Sequence, residues 1–472
     1  MERWKGLKVL IIGAARQGLA LARYFLKHGA SVVVNDRQPP EKLSGLREEF
    51  EAQAGASERI VWAFGGHPLR LLDDAETVCV SGGVSLENPL VLEAQARGIK
   101  VTNDSQLFLE NAPCKVIGIT GSAGKTTTTS LVGKIAQSAV NREEDKSLYR
   151  KAWVGGNIGF PLISSVDEMV AEDLAIMELS SFQLELMSSS PQIAAVLNIT
   201  PNHLDRHKSM EAYTSAKKRI LEFQSQDDCA ILGRDDPGAW SLADTAKGSL
   251  LSFGLGSPAA LQPGTFYENG SIYFRNAVDQ SEPVKILERS EISLRGDHNL
   301  LNVMAACSIS GAASLDIGAM RAGIIGFSGV PHRLELIRNW GGADWYNDSI
   351  ATAPERSMAA IRAFDEPLVL LAGGRDKDLP WDEFSSLVIR RVDHVILFGE
   401  AGDVIWKALE KMGAGSLVVT RCKGLKEAVQ AAAGIVQAGD VVLLSPGGTS
   451  FDEFKDFEER GEQFSQWVKE LA

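Results

Sequence analysis

A chain of 472 residues, 44% hydrophobic and 23% charged, has room for roughly three globular domains and lacks the bias of a disordered or fibrous protein. Its formal net charge of −13 argues against nucleic acid as a partner and supplies no whole-molecule field for anionic substrates, so any phosphate affinity must be local. The five cysteines, Cys79, Cys114, Cys229, Cys307 and Cys422, are widely spaced and form no C-x-x-C pair, which suggests neither a disulfide framework nor a zinc ribbon and points to a reducing cytoplasm.

The first predicted unit is an apolar strand over residues 8–13, a turn to Gly18, a helix to Lys27 and a second strand from Ser31 that ends in Asn35-Asp36. Arg16 and Arg23 interrupt the apolar run 9–12 before a signal-peptide core or membrane span could form, so no crossing is expected. Strand, glycine turn, helix and strand make a Rossmann-like start. Ala15, however, stands where the dinucleotide fingerprint needs its middle glycine, and its methyl opposes close approach of a pyrophosphate. A nicotinamide-dependent dehydrogenase is therefore disfavoured. Asp36 follows the second strand, where an acidic side chain can bond a ribose hydroxyl, although plain sheet topology accounts for it equally well.

Residues 116–130 read V-I-G-I-T-G-S-A-G-K-T-T-T-T-S, an apolar strand running through a glycine loop into a helix start. Such a loop surrounds phosphate oxygens with backbone N–H groups, while a lysine neutralises their charge and a hydroxyl can ligate Mg²⁺. Gly121, Ser122, Gly124, Lys125, Thr126 and Thr127 are the candidates for binding ATP or GTP. The spacing is not strict, because Ile119 takes the place of the first glycine and Gly118 lies one residue early. Residues 141–150 read as a charged, solvated loop or frayed helix end.

Further strands are expected at 173–178 and 194–198, followed by an irregular stretch at 248–284 that suits β-hairpins. Glu178 and His203, each after an apolar strand, are placed to face the phosphate loop and hold Mg²⁺, which takes few protein ligands. A third unit, after 326–331, carries strands at 368–372, 394–398 and 441–445 and reads as another parallel sheet. The fold class is α/β with three domains: a Rossmann-like N-terminal domain (1–103), a central P-loop ATPase domain (104–329) and a C-terminal Rossmann-like domain (330–472).

Over nearly its full length the chain resembles the Mur ligases of peptidoglycan synthesis. The resemblance rests on T-G-S-A-G-K-T-T at 120–127, G-N-I-G at 156–159, M-E-L-S-S-F-Q-L at 177–184, N-H-L-D-R-H at 202–207, A-K-K-R-I at 216–220 and G-D-H-N-L-L-N at 296–302. It continues with P-H-R at 331–333, N-D-S-I-A-T at 347–352 and L-S-P-G-G-T-S-F-D-E-F-K-D-F-E-E-R-G at 444–461. The resemblance implies a cytoplasmic, monomeric ligase of cell-wall biogenesis, tied to cell shape and division, that uses ATP and Mg²⁺. By the same resemblance it is expected to add D-glutamate to UDP-N-acetylmuramoyl-L-alanine through an acyl phosphate. A sibling adding L-glutamate or another amino acid, a folylpolyglutamate synthetase-like enzyme and a non-enzymatic nucleotide-binding regulator are the alternatives.

The resemblance also implies roles for individual residues. Lys125, Glu178, His203 and Lys217 form the catalytic centre; Thr126, Glu178 and His203 ligate magnesium, joined by a carbamylated Lys217. Asn299 and Asn302 approach the adenine, and Arg333 and Asp348 reach ATP from the C-terminal domain, making closure of that domain a natural gate. Asn157 and His203 contact the muramoyl-alanine part, Asp36, Ser81, Gly82 and Gly83 form a uridine pocket, and Thr352, Lys377, Ser450 and Phe457 form the acceptor site. Three positions depart from the family pattern. Ala123 replaces an asparagine inside the phosphate loop, and Ile350 and Ala353 replace the lysine and the asparagine of D-S-K-A-T-N.

Overall fold

The computed structural model describes residues 3–54, 58–141, 148–202, 204–256, 262–276, 282–377, 379–414 and 417–472. Three sheets organise them, and most strands are short continuous apolar runs, as expected of parallel strands covered by helices on both faces.

In the N-terminal sheet the order is Ile60–Phe64, Ser31–Asp36, Lys8–Ile12, Thr77–Val80, Lys100–Thr102, all parallel. Chain order reverses direction beside Lys8–Ile12, so the crevice at the carboxyl ends of Lys8–Ile12 and Thr77–Val80 is the place where such sheets bind ligands. Helix Arg16–Lys27 returns tightly over the first strand, because Gly18 lies so close that a Cβ there would stand 1.9 Å from the Gly13 carbonyl oxygen.

The central sheet has nine described strands. Lys115–Thr120, which leads into the phosphate loop, lies between Ile193–Val196 and Leu174–Glu178 and is parallel to both. The irregular stretch does form hairpins: Gly264–Glu268, Ser271–Arg275 and Val284–Glu288 pair antiparallel at one edge.

The N-terminal and central sheets belong to one compact unit. Buried Leu21 and Phe25 of helix Arg16–Lys27 share an apolar core with Ile163, Val166 and Met169, and Lys27 and His28 both meet Asp167. Polar contacts continue this join. Arg16 donates to the Gly159 carbonyl at 2.8 Å, and Asn103 donates to that of Gln183 at 2.7 Å.

The second unit comprises Ser293–Gly296 and Phe327–Ala472. Its six-stranded sheet runs Glu335–Trp340, Ala343–Asn347, Val441–Gly447, Leu368–Gly373, His394–Phe398, Val418–Arg421. The wholly parallel sheet expected for this unit needs one correction. Glu335–Trp340 is an antiparallel edge strand joined to its neighbour through Gly341 and Gly342, whose φ values of +65° and +80° give the two-residue hairpin turn that accommodates strand twist.

Candidate active site

The phosphate loop stands between two strand ends. Gly124 caps helix Lys125–Val140 with φ +82°, and a Cβ there would lie 2.2 Å from Asn302 Oδ1, so only glycine fits. On one side, Asn198 compensates for the loss of an asparagine at Ala123: its Oδ1 accepts the Ala123 N–H at 2.8 Å and its Nδ2 donates to the Ala123 carbonyl at 3.1 Å. The Ser122 hydroxyl adds a second brace, donating to the Thr200 carbonyl and accepting the Thr200 N–H, both at 2.9 Å. Lys125 bends back over the loop, and its Nζ donates to the Gly121 carbonyl at 2.8 Å.

On the other side lies Glu178, only 1% exposed at the end of its strand. Its Oε2 accepts from the Thr126 hydroxyl at 2.9 Å and its Oε1 from the Asn157 amide at 2.8 Å, so one carboxylate joins the phosphate loop to the G-N-I-G loop. Thr127 is buried behind it in the first helical turn. Lys217, also 1% exposed, comes from helix Met210–Glu222 and donates to the Gly121 carbonyl at 3.0 Å, the oxygen already used by Lys125. Burial first, and the neighbouring Lys125 ammonium second, push its amine down to about 6. Lys217 is therefore largely neutral near pH 7 and carries the free lone pair that a carbamate-forming amine requires. His203 lies outside the described residues. Among the described residues no group of three His, Cys, Asp or Glu side chains converges on a metal position.

Beside the loop opens a cleft of ≈ 240 Å³ whose lining includes Gly124, Asn198, Asp236, Phe253, His298 and Asn302. Asn302 lines it directly. Asn299 does not, but its Oδ1 accepts from Asn302 Nδ2 at 3.1 Å and so orients that amide. Phe253, His298 and Asp236 went unnoticed in the sequence because they sit on a strand end, a helix start and a loop far apart along the chain.

In the N-terminal sheet, Asp36 and the 81–83 segment lie at the carboxyl ends of strands flanking Lys8–Ile12. Asp36 accepts the Ala14 N–H at 2.9 Å through Oδ2, drawing its carboxylate against the Gly13-Ala14-Ala15 turn. Ser81 is buried, and the Gly82 N–H donates to Gln17 Oε1 at 2.8 Å, which locks the turn before Gly83 to helix Arg16–Lys27. With the Arg16–Gly159 bond, this crevice and Asn157 belong to the same compact unit.

The C-terminal unit gathers its residues from loops at the carboxyl ends of three adjacent strands. The Gly447 N–H donates to the Ala351 carbonyl at 2.9 Å, and Arg375 and Thr449 exchange backbone bonds, which brings together the loops carrying Thr352, Lys377 and buried Ser450. Phe457 starts the last helix, its carbonyl accepting from the Ser349 hydroxyl at 2.8 Å. Asp348 is held by the Ser445 hydroxyl at 2.8 Å and the Leu334 N–H at 3.3 Å. Burial pushes its carboxyl up to about 7, against the opposing pull of those bonds and of the Arg333 and Arg356 guanidiniums. Arg333 lies between His332 and Leu334, both in left-handed backbone at φ +63° and +43°, strain of about 1–3 kcal/mol each of the kind concentrated at functional sites.

Arg460, inside the 444–461 motif, is given no role by the sequence. Set in E-E-R-G, it reads as a solvated helix face, yet it is fully buried and donates to the Ser349 hydroxyl at 2.9 Å, the Ser349 carbonyl at 2.8 Å and the Gly448 carbonyl at 3.2 Å. One guanidinium thus ties the Asp348 loop to the loop preceding Ser450.

Comparison with known proteins matches three consecutive family descriptions: Mur ligase MurD-like, N-terminal domain, at residues 7–103; Mur ligase middle domain at 119–310; and Mur ligase, glutamate ligase domain, at 332–448. Full-length relatives agree. The UDP-N-acetylmuramoylalanine--D-glutamate ligase of Acetivibrio thermocellus is 35% identical, with 100% of this chain and 98% of the relative covered. Its counterpart from Symbiobacterium thermophilum is 37% identical, with 98% of each chain covered. The chain belongs to the Mur ligase family. This Mur ligase also shares its fold with the UDP-N-acetylmuramate-alanine ligase MurC of Thermotoga maritima, at TM-score 0.58 and 17% identity over 98% of this chain and 99% of the other. The MurF ligase of Thermotoga maritima in complex with ADP gives TM-score 0.55 at 19% identity, covering 99% and 96%.

Proposed function

We propose that this Mur ligase joins D-glutamate to UDP-N-acetylmuramoyl-L-alanine in peptidoglycan precursor synthesis, using ATP. The observation that carries the reading is the Thr126–Glu178–Asn157 hydrogen-bonded line, which joins the phosphate loop to the G-N-I-G loop and supports a shared site for ATP and donor. D-Glutamate is the amino acid in the names of the full-length relatives.

A carboxylate does not acylate an amine at neutral pH, so the donor carboxylate first takes the γ-phosphoryl group of ATP, giving an acyl phosphate and ADP. The glutamate amine then adds to the acyl carbon, loses its proton and expels phosphate with one of the original carboxylate oxygens. The backbone N–H groups of residues 124–127, at the helix start, cradle the phosphates, and Lys125 leaves the Gly121 carbonyl to follow charge on the transferring group. The cleft beside Asn302 takes the adenine. Asp36, Ser81, Gly82 and Gly83 hold the uridine, and Asn157 and His203 meet the muramoyl-alanine part. In the C-terminal unit, Arg333 and Asp348 serve ATP, and Thr352, Lys377, Ser450 and Phe457 serve the acceptor.

Thr126 and Glu178 offer hard oxygen donors of the type Mg²⁺ takes, and Lys217, once carbamylated, would add a third. Bound magnesium neutralises phosphate charge during transfer. The chain's own contribution is a low-pKa amine buried against the loop, ready to react with CO₂.

Transfer of isotope tests the mechanism. With ¹⁸O in the donor carboxylate, released phosphate should carry one label per turnover; unlabelled phosphate would rule out the acyl phosphate.

A further inference from the structure

A dicarboxylic acceptor brings two negative charges, and among Thr352, Lys377, Ser450 and Phe457 only Lys377 carries a positive one. Residue 350, in the same turn, is isoleucine and supplies no charge. Position 356 supplies one. Arg356, exposed on helix Pro354–Ile361, reaches back so that its Nη1 lies 3.4 Å from the Ile350 carbonyl oxygen, the same oxygen that accepts the Thr352 N–H at 2.9 Å.

The long bond to Ile350 is the one hydrogen bond the Arg356 side chain makes to the described residues, and none of their carboxylates lies within 4 Å of its guanidinium. Its neighbours differ in this respect. Arg375 is closed onto Glu400 at 2.8 Å, and Arg460 is consumed by Ser349 and Gly448. The helix bearing Arg356 is nevertheless fixed: the Ser357 hydroxyl donates to the Ser445 carbonyl at 3.0 Å, and the Ser445 hydroxyl bonds both Ser357 and Asp348. A planar fork with spare donors, carried on an anchored helix beside Thr352, suits paired hydrogen bonds to a carboxylate.

We infer that Arg356 is the second cation of the acceptor site and binds the carboxylate of the dicarboxylic amino acid that Lys377 does not hold. This rests on the ligase reading above and extends it to a residue outside the family's acceptor motifs.

The test is steady-state kinetics of the full-length chain with ATP, Mg²⁺, UDP-N-acetylmuramoyl-L-alanine and D-glutamate. Arg356→Ala should raise the KM for D-glutamate about 10- to 100-fold and leave the KM values for ATP and donor within twofold, with Arg356→Lys in between. Ile350→Lys introduced into Arg356→Ala should recover a large part of the lost glutamate affinity, a rescue that a purely structural role would not produce. An unchanged glutamate KM in Arg356→Ala, or an equal rise for all three substrates, would overturn the inference while leaving the ligase reading intact. Wild-type protein that turns over no dicarboxylic acceptor would overturn both.

Discussion

Replacing Lys217 by methionine should abolish ligation and at the same time stabilise the protein, because a buried amine is held far from its preferred charge state. In the folded chain it titrates near 6 rather than 10.5, so between those values the unfolded chain binds one more proton than the folded one. Stability therefore rises with pH across this window and is lowest below it. At pH 7.5 the three-unit gap to the ordinary value corresponds to about 4 kcal/mol of destabilisation relative to an uncharged side chain. Methionine forfeits the bonds to the Gly121 carbonyl at 3.0 Å and the Thr120 hydroxyl at 3.4 Å, offsetting about 1–2 kcal/mol. The net expectation is a gain on the order of 2 kcal/mol at pH 7.5. Urea unfolding in CO₂-free buffer at pH 6.5, 7.5, 8.5 and 9.5 would read it, with the advantage of the variant shrinking by about 1.4 kcal/mol per unit as pH rises. A variant less stable than wild type throughout, or an advantage independent of pH, would refute the argument.

Lys125→Ala removes the cation that follows the transferring phosphoryl group and should lower ADP formation by about 10²- to 10³-fold with the fold intact, as checked by kinetics beside circular dichroism. Ala353 caps helix Pro354–Ile361 without a side-chain bond, so Ala353→Asn should add about 1 kcal/mol in denaturant unfolding. Asp348, raised to about 7, keeps its proton in the folded chain at pH values where the unfolded chain has released it, so its contribution to stability falls as pH rises from about 4 to 7. Asp348→Asn should accordingly gain on wild type over that range; parallel stability curves would contradict this.

How legible each feature was depended on how local it is. The phosphate loop could be read directly, since strand, glycines, lysine and helix start are consecutive, and the neighbouring strands then dictated that Glu178 would flank it. Lys217 could not be read from spacing: A-K-K-R looks like a solvated charge run, and only the fold separates buried Lys217 from its more exposed neighbour Lys218. The family resemblance supplied that residue. The antiparallel edge strand had a local signal, Gly341-Gly342 between two tryptophan-bearing segments, that went unused. Arg460, Asn198 and Gln17 were silent for a different reason. Each braces a loop far away in sequence, and nothing in its own surroundings distinguishes it from a surface polar residue.

The central claim is the identity of the reaction. Purified protein supplied with ATP, Mg²⁺ and UDP-N-acetylmuramoyl-L-alanine should release phosphate in step with formation of the D-glutamyl adduct, detected by mass spectrometry, and should prefer D-glutamate over L-glutamate, D-aspartate and L-lysine. Preference for L-glutamate would contradict the D-specific assignment, and no adduct with any of the four would contradict the ligase reading itself.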